Sequence, residues 1–263
     1  MRYKNTIRNI KLRGTAVGNR GIDRIARHMW RLTNITLGNS GTIQRVDLRP
    51  FKGLRSIPQN FLADCANLRL LNISGLPRLK TIGTSALACC HALKSVNISG
   101  LENLERVGNF FMYMCTSLES FDATHLKALK AVSHGFLSNC SKLKFVNLSG
   151  LERLESVGAG FMSNCASLEF FDATHLKALR TVGNWFLGSC SNLKSADLSG
   201  LERLESVGAG FMSNCASLEF FDATHLKALK KVGHKFLADC RNLKSADGVY
   251  HYPESAQAIF NHL

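Results

Sequence analysis

Hydrophobic and polar positions recur along this chain with a period of 25 residues. Each period reads approximately F-[LM]-x-x-C-x-x-L-x-x-[VF]-x-[LA]-x-x-L-x-x-L-x-x-V-G, as in the stretch FLSNCSKLKFVNLSGLERLESVG that begins at Phe136. The first position is occupied in turn by Phe61, Ala86, Phe111, Phe136, Phe161, Phe186, Phe211 and Phe236, and a cysteine follows each of them four residues later. A fixed period of this length is typical of a solenoid, in which each unit buries its apolar positions against the next.

The pattern inside one period predicts two extended segments. In residues 143–148 the alternation of a strand after Lys144 places Val146 and Leu148 inward and Phe145 and Asn147 outward. A second, shorter strand is predicted in residues 154–157. The segment 136–140 is predicted to form one helical turn.

The repeat continues toward both ends of the chain in altered form. Residues 36–60 are predicted to form a degenerate unit, because their apolar residues fall on the same columns: Ile43, Val46, Leu48, Phe51, Leu54 and Ile57. Ile10-x-Leu12 and Ile35-x-Leu37 predict two strands, with a helix between them that carries Ile22, Ile25 and Met29 on one side. Residues 253–263 are predicted to form a short helix that covers the last unit. We therefore expect a basic N-terminal cap (1–35), a solenoid (36–247) and a C-terminal cap (248–263).

The units resemble leucine-rich repeats, and their F-x-x-C-x-x-L-x-x-[VI] core is similar to that of the BspA-like class. Residues 12–29 instead resemble a ribonuclease-inhibitor-type repeat. The units depart from the usual BspA-like pattern because they have Ser-Gly or Thr-His, not proline, after the first strand. The resemblance implies an α/β repeat: an arc-shaped solenoid of parallel strands and short helical turns, with an N-terminal helix-containing repeat and a C-terminal helical cap. It also implies protein recognition on a concave sheet.

A second period of 50 residues lies over the first, and residues 151–179 are identical to residues 201–229. Recent duplication alone would also explain this identity. At the inner position of the first strand, large residues are predicted to meet smaller ones in the next unit, as Phe121 meets Val146 and Phe171 meets Ala196.

Charges alternate from unit to unit as well. The first column runs Arg69, Lys94, Glu119, Lys144, Glu169, Lys194, Glu219 and Lys244, and the second runs Lys80, Glu105, Lys130, Glu155, Arg180, Glu205 and Lys230. Since neighbouring strands lie about 4.8 Å apart, these columns are predicted to form ladders of opposite charges. Most of the charge of the repeat is therefore interpreted as structural.

The outward side of the first strands carries aromatic rings beside carboxylates and amides. The partner-binding residues predicted there are Phe145, Phe170, Phe220, Asn147, Asp172, Asp197 and Asp222. Aromatic anchors commonly dominate the energy of protein interfaces, so this side is predicted to bind a protein partner. The alternative is that the rings cover each other or pack under a flanking loop.

The net charge of +14 is concentrated near the amino end, where residues 1–60 hold 13 lysines and arginines against two aspartates. The predicted N-terminal helix places Arg20, Arg24, Arg27 and Arg31 on one face, with Arg13 nearby, as a candidate patch for an anionic partner. This patch favours a second hypothesis, an RNA-associated or ribonucleoprotein component, although no nucleic-acid-binding motif accompanies it. A solvated helix face is the alternative interpretation of the patch. A structural spacer in a larger assembly is the third hypothesis.

The sequence predicts neither catalysis nor a bound metal or other cofactor. The periodic cysteines include no C-x-x-C pair, and they are interpreted as buried thiols, which favours an intracellular, reducing compartment, cytoplasmic or nuclear. His125, His175 and His225 recur about 10 Å apart, too far to share one metal ion, and are interpreted as turn residues. We expect no membrane span and no secretory signal, while the Arg-rich, acid-poor start leaves a mitochondrial location open.

Overall fold

The structure, a computed structural model, describes residues 9–13, 34–38 and 41–247. Within these ranges the chain forms 19 β-strands and no helix. The first two strands, β1 (Asn9–Arg13) and β2 (Asn34–Gly38), pair in parallel with Ile10 opposite Ile35 and Leu12 opposite Leu37. The prediction of two equivalent strands, 25 residues apart, is confirmed.

From residue 45 onward each unit contributes a first strand of three residues and a second strand of two. The first strands are β3 (Arg45–Asp47), β5 (Leu70–Asn72), β7 (Ser95–Asn97), β9 (Ser120–Asp122), β11 (Phe145–Asn147), β13 (Phe170–Asp172), β15 (Ser195–Asp197), β17 (Phe220–Asp222) and β19 (Ser245–Asp247). The second strands are β4 (Ser56–Ile57), β6 (Thr81–Ile82), β8 (Arg106–Val107), β10 (Ala131–Val132), β12 (Ser156–Val157), β14 (Thr181–Val182), β16 (Ser206–Val207) and β18 (Lys231–Val232). Both extended segments predicted for each unit are therefore present.

The second strands form one continuous parallel sheet of eight strands, in chain order from β4 to β18. The inward residue of each strand is always isoleucine or valine, and successive residues stand directly opposite each other, as Val132 does opposite Val107 and Val157. A uniform β-branched column packs equally well at every step, which explains why this sheet is not interrupted.

The first strands behave differently, because their sheet is divided into pieces: β3-β5-β7, β9-β11, β13-β15 and β17-β19. Within the pieces, large and small inward residues stand opposite each other as predicted, with Phe121 opposite Val146 and Phe171 opposite Ala196. We call the three interruptions seams; they precede β9, β13 and β17. Each seam lies just before a strand with an inward phenylalanine.

The inward phenylalanines explain where the seams fall. The ring of Phe121 lies 5.6 Å from that of Phe136 in the following unit but 6.5 Å from that of Phe111 in its own. Phe221 shows the same offset, 5.5 Å to Phe236 and 6.5 Å to Phe211. Because each ring leans toward the following unit, its strand pairs with the following strand and separates from the preceding one.

The predicted helical turn at residues 136–140 is wrong. The segment consists of turns in which φ is positive at alternate residues, +70° at Gly135, +54° at Leu137 and +61° at Asn139, whereas a right-handed helix requires negative φ throughout. The alternation points the amides of every second residue at opposite neighbouring units: Leu137 N donates to Phe111 O of the preceding unit, and Asn139 N to Ser163 O of the following one. The segment thus forms a third hydrogen-bonded ladder between units.

The interior is filled by columns of identical side chains in contact. Phenylalanine rings stack from Phe111 to Phe236, with centroids 5.7 Å apart at the first step and 5.0 Å at the last. The predicted column of buried thiols is also present: every periodic cysteine is buried and free. Each thiol from Cys90 onward donates to a carbonyl of the preceding unit, as Cys140 Sγ does to Met112 O at 3.2 Å.

The predicted charge ladders form at some steps only. Ion pairs join Lys80 to Glu105, Arg180 to Glu205, Lys194 to Glu169 and Lys244 to Glu219, each at 2.7 or 2.8 Å. Within the described residues no ion pair is formed at the other steps of these two columns. Since all members are exposed, solvent screens these pairs and each contributes little to stability.

Two predicted elements lie outside the described residues: the helix that carries Arg20, Arg24, Arg27 and Arg31, and the C-terminal capping helix. The domain boundaries at residues 35 and 247 stay predictions for the same reason. The degenerate unit is confirmed, because its predicted apolar residues from Ile43 to Ile57 are buried.

Candidate functional site

The first strands present their outward residues to solvent on one side of the solenoid. Phe145 is 72% exposed, Phe170 52% and Phe220 57%, so these rings neither cover each other nor pack under a loop. A strand alternates its side chains between two faces, and the inward neighbours Phe171 and Phe221 are buried. Exposed rings of this size in a single column are unusual on a soluble protein surface and mark a candidate contact area.

The acidic and amide side chains of the same strands have a local structural role that the pattern did not predict. Asn147 Oδ1 accepts a hydrogen bond from Ser149 N at 3.0 Å, and Asp197 Oδ1 accepts one from Ser199 N at 2.9 Å. Asp172 and Asp222 do the same toward the residue two positions on. Such Asx turns replace the proline of the usual repeat in reversing the chain after the strand. Their predicted role in partner binding stays a prediction.

A groove of about 320 Å³ opens on the outward side at the seam between β11 and β13. It is lined by Lys144, Phe145, Val146, Ser167, Glu169, Phe170 and Asp172. At the other two seams one backbone hydrogen bond still crosses before the strand, Glu119 N to Lys94 O and Glu219 N to Lys194 O, both at 3.3 Å. Within the described residues Glu169 N makes no such bond to Lys144 O, so this seam is the most open. Phe145, the most exposed phenylalanine of the column, and Phe170 flank it.

The third ring of the column already interacts with a cation. Lys244 Nζ lies 5.7 Å from the centroid of Phe220, while the same ammonium pairs with Glu219 at 2.7 Å. No cation lies over the ring of Phe145 or Phe170 anywhere in the described part of the chain. These two rings are therefore open to a ligand.

Charge is distributed unevenly along the outward side. In the five units from Lys144 to Asp247 the outward residues include three lysines, two glutamates and four aspartates, a net charge of −3 on a chain whose total is +14. We call the outward side chains of β11, β13, β15, β17 and β19, with the charged residue before each strand, the aromatic–acidic face. Its four aspartates are Asp172, Asp197, Asp222 and Asp247.

The structure also shows a larger groove, of about 580 Å³, at the opposite end of the outward side. Its lining includes Arg45, Leu70, Asn97 and His125, with Leu70 half exposed. Sequence reasoning missed this groove. The signal available was the replacement of serine or phenylalanine by Leu70 in the outward column.

The periodic cysteines are buried, and their thiols are unreactive near neutral pH. Burial raises the pKa of Cys140 and that of Cys190 to about 12, and raises the pKa of Cys165 well above its ordinary range. A thiol with such a pKa stays protonated near neutral pH and is neither a nucleophile nor a metal ligand. Cys89 is the one cysteine that lies outside the 25-residue series, and it is only half buried.

The recurring histidines lie in the turns after the first strands. His125 Nδ1 lies 2.9 Å from Glu102 Oε1, a contact that lowers the pKa of Glu102, while His175 Nδ1 lies 3.9 Å from Glu152 Oε1. In intervening units a side chain would not fit, because a Cβ on Gly150 would come within 2.2 Å of Ala123 O. Among residues 41–247 and the two N-terminal strands, no group of three or more His, Cys, Asp or Glu side chains is placed to hold a metal ion.

The predicted anionic-partner patch, Arg13, Arg20, Arg24, Arg27 and Arg31, lies outside the described side chains and stays a prediction. No helix in the described segments is long and apolar enough to cross a membrane.

The family described as "BspA type Leucine rich repeat region" matches the chain in six copies, over residues 36–155 and 110–244. The chain therefore belongs to the BspA-type leucine-rich repeat family, as its F-x-x-C core predicted. Solenoids of this family are in general binding scaffolds for proteins and typically not enzymes.

Several solved structures have a similar fold. A leucine-rich repeat protein from Bacteroides ovatus is 16% identical, with a TM-score of 0.50 over 81% of this chain and 69% of that one. A T. pallidum leucine-rich repeat protein is 15% identical, with a TM-score of 0.46 over 84% and 83%. The leucine-rich repeat domain of the type III effector XopL is 18% identical, with a TM-score of 0.47 over 88% and 69%. No curated protein matches the sequence. The first likeness supports the fold alone.

Proposed function

We propose that this protein is a non-enzymatic scaffold that binds a protein partner through its aromatic–acidic face. The observation that carries the proposal is the pair Phe145 and Phe170, two exposed rings on either side of an open groove. Burial of such rings stabilises a complex by several kcal/mol when the pocket around them is desolvated, at about 25 cal/mol per Å² of apolar surface.

The compartment that fits this proposal is a reducing one inside the cell. Nine free cysteines, eight of them buried in one column, are compatible with an environment that keeps thiols reduced. The RNA-binding hypothesis depends on the basic N-terminal patch, and the spacer hypothesis on contacts with neighbouring subunits. Both stay predictions, since no described residue favours either over a protein partner.

Capture from cell extract tests the proposal. The immobilised full chain is compared with Phe145→Ala/Phe170→Ala, and with Lys130→Ala/Glu155→Ala as a control on the second-strand side. Both control residues are exposed, and neither forms an ion pair with another described residue. We expect at least one protein to be captured about tenfold less by the phenylalanine variant and equally by the control, with all three chains equally stable. Equal capture by all three would exclude this face as the binding surface.

A further inference from the structure

The chemistry of the aromatic–acidic face also indicates what kind of partner it binds, provided that the proposed function holds. The face combines two features: exposed aromatic rings on β11, β13 and β17, and carboxylates on β13, β15, β17 and β19. The rings offer an apolar anchor, and the carboxylates set the sign of the charge that can approach.

The rings are suited to contact a cation. The contact of Lys244 Nζ with the ring of Phe220, at 5.7 Å, shows that a side chain running along this face can place an ammonium over the outward column. Phe145 and Phe170 occupy equivalent positions, and neither ring carries a cation within the described residues. The groove between them has room for a side chain of the partner.

The aspartates form an unbalanced column of like charges. Asp172 stands directly opposite Asp197, and Asp222 opposite Asp247, although like charges in this register repel each other. Two of the three lysines on the face do not relieve the repulsion, because Lys194 pairs with Glu169 and Lys244 with Glu219. The third, Lys144, precedes β11, which carries no aspartate. Hydrogen bonds from Ser199 and Thr224 hold the pKa of Asp197 and of Asp222 below the ordinary range, so both stay ionised at neutral pH.

The first units of the chain show that this charge is not required by the fold. Asn72 and Asn97 occupy the same column and make the same Asx turn, with Oδ1 accepting from Ser74 N and Ser99 N at 3.0 Å. An amide therefore supports the turn as well as a carboxylate does. The aspartates add negative charge where the backbone needs only an acceptor.

We propose that the aromatic–acidic face binds an extended, arginine- or lysine-rich segment of a partner protein. Its cationic groups stack on Phe145 and Phe170 and pair with Asp172, Asp197 and Asp222. The segment runs across the strands, from the seam before β13 toward β19, because the carboxylates are arranged in that direction. Opposite charges attract the segment to the face, and the rings retain its side chains.

The test uses three labelled decapeptides: alternating arginine and serine, alternating glutamate and serine, and alternating glycine and serine. Fluorescence anisotropy measures their binding to the full chain and to Asp172→Asn/Asp197→Asn/Asp222→Asn, which keeps the acceptor of each turn. A control variant, Glu105→Gln/Glu155→Gln/Glu205→Gln, removes the same total charge from the second-strand side. Thermal melting establishes that both variants remain folded.

We expect the arginine peptide to bind the natural chain most tightly. Binding to the aspartate variant and to Phe145→Ala/Phe170→Ala should be weakened about tenfold or more, and binding to the glutamate control should change less than about twofold. Added salt should weaken the remaining interaction.

Three outcomes would overturn the inference: tighter binding of the glutamate or glycine peptide, no binding of the arginine peptide, or equal weakening in the aspartate variant and the glutamate control. A partner captured through Phe145 and Phe170 but insensitive to the aspartate variant would overturn this inference and leave the proposed function in place. Sedimentation of the free chain provides a further arm, since self-association lost in the aspartate variant would identify a second copy, not a basic segment, as the occupant.

Discussion

The two strand columns of this solenoid have the same period but different behaviour. The second strands keep one inward residue type, isoleucine or valine, and form a single sheet of eight strands. From β9 onward the first strands alternate phenylalanine with valine or alanine inside, and their sheet is interrupted at three seams. The second strands therefore hold neighbouring units together without interruption. The first strands leave grooves between units and carry the exposed rings on their outward side. The difference separates the part of each unit that supports the stack from the part that we propose contacts a partner.

The largest loss of stability should occur at alkaline pH, through the column of buried cysteines. In the folded protein the pKa of Cys140 and of Cys190 is about 12, whereas an unfolded thiol has a pKa of about 8.5. Above that value the unfolded chain loses these protons while the folded chain keeps them, so stability is full at neutral pH and falls as pH rises toward 12. Each such thiol lowers the free energy of unfolding by about 1.4 kcal/mol per pH unit.

Chemical denaturation at a series of alkaline pH values measures this loss. Cys140→Ala is the control variant, since its stability should depend less steeply on pH than that of the natural chain. Identical slopes for the two proteins would contradict the assignment of the effect to the thiol column.

Removing one ring from the phenylalanine column should have the next largest effect. Phe161 stacks between Phe136 at 5.5 Å and Phe186 at 5.3 Å and is fully buried. Phe161→Ala leaves a cavity and should lower the free energy of unfolding by about 3–5 kcal/mol, measured by urea denaturation. Phe145→Ala, on the outward side, should change it by less than about 0.5 kcal/mol. Similar losses for the two variants would remove the distinction between the columns.

The smallest effect concerns the seams themselves. Ala123 N donates to Asn147 O at 2.8 Å and Ala173 N to Asp197 O at 2.9 Å, but within the described residues Leu148 N makes no equivalent bond across its seam. Loss of one hydrogen bond of about 1 kcal/mol should make the Leu148 amide exchange with solvent deuterium about fivefold to tenfold faster than the two alanine amides. Equal protection of all three amides would show that the seam closes in solution.

Most of the fold could be predicted from the sequence because the apolar period is strict. The buried positions from Ile43 to Val207 recur every 25 residues, and stacking of equivalent residues in successive units is the arrangement that buries all of them. The turn segment was misassigned because its apolar spacing also fits a helix. Gly135 and Asn139, with Gly160 and Asn164 in the next unit, are the residue types that favour positive φ, and their alternate spacing was the available signal.

The candidate site could be predicted less completely. The outward column of Phe145 and Phe170 follows directly from strand alternation, and both rings are exposed. The seams could not be predicted from residue types, because they depend on the direction in which Phe121 and its equivalents lean inside the core. The use of Asp and Asn side chains in the turns depends on local backbone geometry, which a two-residue alternation does not specify.

The pairing of a large with a small inward residue also determines how this protein can change its length. Insertion of one extra unit beside Phe171 would place two bulky rings, or two alanines, in neighbouring turns of the coil. Recombination between the identical stretches 151–179 and 201–229 instead adds or deletes 50 residues and reproduces every internal contact. Each added block would carry another outward phenylalanine, another glutamate–lysine pair and two further aspartates, so the aromatic–acidic face can lengthen only by two units at a time.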